Sequence, residues 1–390
     1  MSAQPLAGRR IWFVGVGGSG LSAYAQLARA WGAEVGGWDR VATPYLAALG
    51  GLRVEIAPEP VVPEGWDVVV SSAYPQVDGL RRSAFLAELV GARRSIVVAG
   101  AHGKGTTAAM IAFVLRETGR DPAWLIGAPV PQLGSNAGAG SGWLVVEGDE
   151  SDRTVFSLLA EIAAVTNVDL DHHTEFGSLA ELEHAFADWL PTVSHVVRDA
   201  PRYGGPLALP GEHNRLNAGT ALAALELAGV PRAEAEPVLA RFAGTGRRFE
   251  VHELRWVVVV DDYGHHPAEV AAAVAAARER FPGRPLRVAF QPHLFSRTRH
   301  LATEFAAALA EADDVTVLDV YPAREQPIPG VTGKLIVDAL SDLGRVVAWT
   351  PTVGQAVAHL VRTTQAGDVL LVSGAGDVDQ AVALLRERLG

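Results

Sequence analysis

The chain has 390 residues, with 33 Lys plus Arg against 44 Asp plus Glu, a formal net charge of −11 at pH 7. Hydrophobic residues make up 49% and charged ones 20%, the composition of a folded chain, and at ~150 residues per domain the length predicts two or three domains. The acidic balance argues against nucleic acid or an anionic membrane as main partner, and the absence of cysteine excludes disulfides, thiolate nucleophiles, Cys-bound zinc and iron–sulfur clusters.

The first apolar run is IWFVGV, from Ile11, and it ends in GVGGSG, Gly15 to Gly20. Helical spacing over Leu21–Trp31 and a second strand-like run to Trp38 complete a βαβ unit. Arg9-Arg10 before this run resembles a secretion signal, but four glycines in six residues favour a strand and turn. The glycines let a backbone approach a diphosphate at a helix N-terminus, and Asp39 stands nineteen residues on, placed to accept from a ribose hydroxyl. Gly15, Gly17, Gly18, Ser19, Gly20 and Asp39 are therefore candidate nucleotide contacts. Which nucleotide is open at this point, and a nicotinamide dinucleotide of an oxidoreductase fits the motif.

Next comes IVVAGAHGKGTT, Ile96 to Thr107, a strand running into a Gly-rich loop, with a helix predicted from Ala108. Backbone N–H groups of Gly100, Ala101, His102 and Gly103 can cradle phosphates, with Lys104 reaching the outer oxygens and Thr106 or Thr107 holding a metal. Gly105 follows the lysine where the strict pattern has Ser or Thr. The chain has just two lysines, Lys104 and Lys334, among its 33 basic residues. A lysine kept against such a bias marks a place where a planar guanidinium would not serve.

Pro122–Val146 is uncharged and long enough to span a membrane, but three prolines and five glycines break it. No other segment reads as a span, and a cytoplasmic location is expected. WLVVEGDESD then carries Glu147, Asp149, Glu150 and Asp152, and VTNVDLDHHTEF carries Asn167, Asp169, Asp171, His172 and His173. In a parallel sheet both strand ends lie beside the phosphate loop, where carboxylates can hold Mg²⁺. In LPGEHNRLNAG, Asn214 and Asn217 share one helix face and suit a purine edge, or Asn214 caps the helix. GRRFEV supplies Arg247 and Arg248, and VVVVDDYGHHPAEV supplies Asp261, Asp262, His265 and His266 before a helix start at Pro267. FQPHLFSRTRHL adds His293, Arg297 and Arg299.

Further apolar runs at Trp143–Val146, Ile162–Thr166, Trp256–Val260, Leu286–Phe290, Val315–Val320, Val346–Trp349 and Val369–Val372 alternate with helical spacing such as Leu301, Phe305 and Leu309. That alternation predicts an α/β fold with mainly parallel sheets. Boundaries near 85–95, before the second Gly-rich strand and loop, and near 243–248, where a helical stretch gives way to a new strand series, divide it into three Rossmann-like or P-loop domains, 1–90, 91–245 and 246–390.

GVGGSG, AGAHGKGTT, EGDESD, TNVDLDHH, LPGEHNRLNA, GRRF, DDYGHHPAEV, FQPHLFSRTR, DVYPAREQPI and GAGDV, in this order over residues 11 to about 378, resemble the Mur ligase family, closest to its branch that adds L-alanine. The resemblance implies a UDP-sugar-binding domain, a central ATPase and a C-terminal ligase domain. It implies ATP-dependent joining of L-alanine to UDP-N-acetylmuramate through an acyl phosphate, in peptidoglycan precursor synthesis, with ATP and Mg²⁺. By motif, Gly100 to Thr107 meet ATP, Thr106, Glu150 and His172 the metal, and Asn214 and Asn217 the adenine. Arg248 and Asp262 contact the nucleotide, while Gly15 to Gly20, Asp39, Ser71, Ser72, His265 and His266 bind the substrate. Lys104, His172, Arg248 and Asp262 are the implied catalytic set. Residues 105–333 hold no lysine, so the carbamylated lysine of several family members has no counterpart. The chain departs from the family pattern at Ala101 and Gly105, and it is short around 75–85 and 190–210. A peptide-recycling ligase and a catalytically weak homologue are the alternatives within the family.

Overall fold

The computed structural model of the chain describes residues 4–150, 153–169, 176–323 and 325–390. The first sheet is built from β1 (Arg10–Val14), β2 (Glu34–Asp39), β3 (Arg53–Ile56), β4 (Asp67–Val70) and β5 (Leu80–Arg81), with helix α1 (Ser19–Ala30) after β1 and α2 (Arg82–Gly91) after β5. Its order is β3-β2-β1-β4-β5, and every pair is parallel. Ile11, Trp12, Phe13 and Val14 are all fully buried, because the central strand of a parallel sheet is covered on both faces.

The second sheet holds β6 (Ser95–Ala99), β7 (Ala123–Val130), β8 (Ser135–Gly138), β9 (Leu144–Glu147), β10 (Ile162–Val165) and β11 (His195–Val197), in the order β11-β10-β6-β9-β7-β8. Its helices are α3 (Lys104–Glu117), α4 (Leu179–Trp189), α5 (Glu212–Leu227) and α6 (Arg232–Leu239). The Pro/Gly-rich stretch after residue 122 is the antiparallel pair β7–β8. Helix α3 starts at Lys104, four residues before the predicted Ala108. The glycines that argued for a longer loop are tolerated because Thr106 to Leu115 are buried without interruption and packing outweighs propensity. Truncating Ile111, wholly buried, to Ala would cost ~2–5 kcal/mol. Helix α4 is capped by Ser178, whose side chain accepts from the Glu181 N–H.

The third sheet runs β12-β13-β17-β14-β15-β16. It comprises β12 (Glu250–Glu253), β13 (Val258–Asp262), β14 (Leu286–Phe290), β15 (Asp314–Val317), β16 (Val347–Trp349) and β17 (Val369–Ser373). Between them lie α7 (Pro267–Arg280), α8 (Phe295–Leu309), α9 (Lys334–Asp342), α10 (Val353–Thr363) and the final α11 (Gln380–Leu389). Only β12, at an edge, is antiparallel to its neighbour.

The chain divides into two compact units, Met1–Ala208 with Arg215–Ala243, and Leu209–Asn214 with Gly244–Gly390. The first unit contains two sheets because one apolar cluster is continuous from Leu6 and Phe13 through Phe85 to Val97, Phe176 and Trp189. In the second unit two clusters, around Val288 and Phe305 and around Leu370 and Leu385, pack against the third sheet. Among the described residues, no helix is long and apolar enough to cross a membrane.

Candidate active site

In the first sheet, strand order reverses between β1 and β4, and ligands of such sheets bind at the C-terminal strand ends beside that point. The loop Gly15–Gly20 follows β1 and Ser71 follows β4, so the two segments meet there. The Gly15 and Val16 N–H groups donate to Trp38 O at 2.8 and 3.1 Å, and the Ser71 N–H donates to Val14 O at 3.0 Å. Ser72 is exposed. Gly20 lies in the first turn of α1, which Ser19 opens; the Ser19 side chain lies outside the described positions. Asp39 ends β2, but its carboxylate is already engaged: Oδ2 accepts from Gly17 N–H and Oδ1 from Arg40 N–H, both at 2.7 Å. It clamps the glycine loop, a role the motif spacing did not reveal. Tyr74 packs edge-on to Trp38 at 5.1 Å, under the Arg40 guanidinium at 5.7 Å.

In the second sheet the loop Gly100–Gly103 joins β6 to α3. Gly103 has φ +79°, and a Cβ there would overlap the Asn217 carboxamide, so the turn admits only glycine. The loop is laced to the end of β10. His102 N–H donates to Asn167 Oδ1 at 2.9 Å, while Asn167 Nδ2 and Thr166 Oγ1 donate to His102 O at 2.8 and 2.6 Å. Lys104 Nζ donates to Gly100 O at 2.6 Å and Ala101 O at 3.1 Å, and lies 2.9 Å from Glu150 Oε2. Burial alone would lower the Lys104 pKa, but Glu150, Asp149 and Glu147 outweigh it and hold the ammonium above its ordinary value. Glu150, 2% exposed, is pushed up to about 7 by burial, which Lys104 offsets only in part.

Glu147 is the acid nearest the second residue of α3. Its carboxylate would lie 3.1 Å from a Cβ on Gly105, and it accepts from Gly127 N–H at 2.6 Å. Sequence reasoning gave the metal role to Glu150 of DESD. The signal for Glu147 was its place as last residue of a buried strand paired with β6, opposite Val98. Thr106 and Thr107 are buried, and Thr107 Oγ1 finds no hydrogen-bond partner among the described residues. Asp152, Asp171, His172 and His173 lie outside the described residues. Among those described, no three His, Asp or Glu converge as a ligand cluster. The oxygen donors present, carboxylates beside threonine hydroxyls, are nevertheless the set a hard divalent cation takes.

Asn214 and Asn217 fall within the first two turns of α5 and are both buried. Asn217 lies against Gly103. The Asn214 amide donates to Pro210 O at 2.6 Å, so it ties down the turn before the helix.

In the third sheet the turn 247–249 is strained. Arg247 and Phe249 have φ +56° and +54°, positions that cost non-glycine residues ~1–3 kcal/mol. Asp262 holds this turn: Oδ2 accepts from Phe249 N–H at 2.9 Å and Oδ1 from Gly264 N–H at 2.8 Å. Burial pushes Asp262 up to about 6, and Arg248 pulls against that rise. Arg248 pairs with Glu269 at 3.2 Å. Both Arg247 and Arg248 lie over the Tyr263 ring, at 5.2 and 5.1 Å. His265 and His266 open α7, whose first turn is a capping box of His266 and Glu269. His293 and Arg297 follow β14, with the His293 and His265 rings 5.7 Å apart. Arg299 is exposed beside His300, outside this group.

Residues 247–376 match the family described as Mur ligase, glutamate ligase domain. The chain is 38% identical to the UDP-N-acetylmuramate–L-alanine ligase of Renibacterium salmoninarum, over 97% of this chain and 96% of the relative. That alignment runs over 452 residues against 390 here, so at least 62 of its positions (452 less 390) have no counterpart in this chain. The UDP-N-acetylmuramate–alanine ligase structure from Thermotoga maritima superposes with a TM-score of 0.81 at 26% identity, covering 97% of this chain and 98% of that one. A Thermotoga maritima MurF ligase in complex with ADP shares the fold, with a TM-score of 0.61 at 17% identity over 100% and 99% of the two chains. The chain belongs to the Mur ligase family, among the UDP-N-acetylmuramate–L-alanine ligases.

Proposed function

We propose that this protein joins L-alanine to UDP-N-acetylmuramate with ATP, in the cytoplasm, as a step of peptidoglycan precursor synthesis. The observation that carries this reading is Lys104, fixed over the Gly100–Gly103 turn at 2.9 Å from Glu150, where a triphosphate would replace its carbonyl partners. A carboxylate is a poor acyl donor, so it must first be activated. One muramoyl carboxylate oxygen attacks the γ-phosphorus, the bond to the β-phosphate oxygen breaks, and ADP leaves an acyl phosphate. The alanine amine then attacks the carbonyl carbon and inorganic phosphate departs.

Lys104 and the α3 N-terminus neutralise charge on the transferring group. Glu147, Glu150 and Thr106, with His172 as a further candidate, would hold Mg²⁺, which would withdraw charge from the transferring phosphoryl group. Asn217, and Asn214 at the helix start, suit the adenine. Arg248, presented by the turn that Asp262 holds, suits the nucleotide phosphates. The edge formed by Gly15–Gly20, Asp39, Ser71 and Ser72 suits the UDP-sugar. On this reading the three sheets are the sugar-nucleotide, ATPase and ligase domains, 1–90, 91–245 and 246–390.

ADP release with ATP, Mg²⁺, UDP-N-acetylmuramate and L-alanine tests the proposal. Release should need both acceptors, and Lys104→Ala should lower it by at least ~10²-fold. Near-normal turnover of that variant would remove the phosphate-loop assignment.

A further inference from the structure

The third sheet carries a histidine whose surroundings fix its tautomer. His265 Nδ1 lies 3.1 Å from Tyr263 O and 3.4 Å from Glu269 Oε2. Both oxygens can only accept, so Nδ1 carries the proton and Nε2 the lone pair. Glu269 is itself fixed. Its Oε2 accepts from the His265 and His266 N–H groups at 3.0 and 3.2 Å, and its Oε1 accepts from Arg248 at 3.2 Å. The carboxylate and its imidazole are both mostly buried, at 11% and 18% side-chain exposure, so their mutual orientation is restricted. A base held by a second group that is itself held is the arrangement proton transfer requires.

The neighbouring His293 is in the opposite state. Arg297, always a donor, stands 3.4 Å from its Nδ1, which makes that nitrogen the acceptor and keeps a positive charge beside the ring. Tyr321 stacks on its other side at 5.8 Å. The anion Glu269 stands 3.4 Å from His265 Nδ1. Tyr263 lies edge-on to the His265 ring at 5.3 Å.

We propose that His265 is the general base of the amide-forming step, oriented by Glu269; this rests on the ligase reading above. The amino acid arrives as an ammonium, which cannot attack. His265 Nε2 takes one proton from it, and the resulting imidazolium faces Glu269. The free amine forms the C–N bond as the C–O bond to phosphate breaks. The remaining surplus proton on nitrogen leaves with the phosphate, so amide, hydrogen phosphate and imidazolium balance the ammonium, acyl phosphate and imidazole consumed.

Hydroxylamine tests this directly, because it is neutral at assay pH and needs no base. Wild type with ATP, Mg²⁺ and UDP-N-acetylmuramate should give the alanyl amide with L-alanine and a hydroxamate with hydroxylamine. His265→Gln should lose at least ~10²-fold more activity with L-alanine than with hydroxylamine. Glu269→Gln keeps the capping geometry and should move the acid limb of kcat/KM for L-alanine to lower pH, since the imidazolium loses its anion. Equal losses with both acceptors, unimpaired alanine turnover in His265→Gln, or an unmoved acid limb in Glu269→Gln would overturn the proposal. A wild type that forms neither product would overturn the ligase reading itself.

Discussion

Replacing Lys104 by Met keeps most of the side-chain volume and removes the charge. Glu150, 2% exposed and 2.9 Å from Nζ, then becomes a buried carboxylate without its cation. Removing one partner of a buried pair costs ~3–5 kcal/mol, but only while the remaining group is ionised. Burial already pushes Glu150 up to about 7 with the lysine present, and without it the value rises further. A carboxyl whose pKa is higher folded than unfolded stabilises the fold at low pH and loses that contribution as pH rises through the folded value. Urea unfolding of the Lys104→Met variant should therefore differ from wild type by ~1 kcal/mol near pH 5.5, from the carbonyls left without a donor, and by ~3–5 kcal/mol near pH 9. The double variant Lys104→Met, Glu150→Gln should recover most of the loss at high pH. A gap between single variant and wild type that does not change with pH would refute the buried-pair reasoning.

Gly103→Ala should weaken ATP binding by ~10-fold or more in calorimetric titration, because the added methyl meets Asn217 and the φ of +79° is unfavourable; unchanged affinity would count against the loop as the phosphate cradle. Glu147→Gln should weaken Mn²⁺ binding measured by electron paramagnetic resonance, and identical titrations would remove Glu147 from the metal set. Burial raises both Asp261 and Asp262 to about 6. The contribution of these two carboxyls to the stability of the second unit is therefore full below the ordinary aspartate range and is lost as pH rises through about 6. Asp262→Asn should flatten that slope in urea midpoints, and a slope equal to wild type would contradict it.

The sheets were legible where burial is complete. β1, β6, β10 and β17 each carry an unbroken apolar run of four residues because both faces are covered. Of the edge strands, β16 was read as Val346–Trp349, but β3, β5, β8 and β11 were not: they are short and mix polar or glycine residues with apolar ones, since one side of each meets solvent. β11 spans only His195–Val197, and it closes the sheet in the segment that sequence reasoning found short. The phosphate loop could be read because its glycines and lysine are local in sequence. The roles of Glu147, Asp39 and Asp262 could not, because each depends on a partner 20 to 42 positions away or on a strained turn. Glu147 meets Gly127 and Gly105, Asp39 holds Gly17, and Asp262 holds Phe249. The helix start at Pro267 was visible in sequence, but not that Glu269 caps it and also faces the His265 ring and Arg248.

The most direct measurement is mass spectrometry of the product, with ADP release followed in parallel, when UDP-N-acetylmuramate and ATP are offered with each amino acid in turn and with a preformed peptide. The expected result is the L-alanyl amide, formed one-for-one with ADP. ADP release without any new amide, or amide formation with the peptide and not with L-alanine, would contradict it.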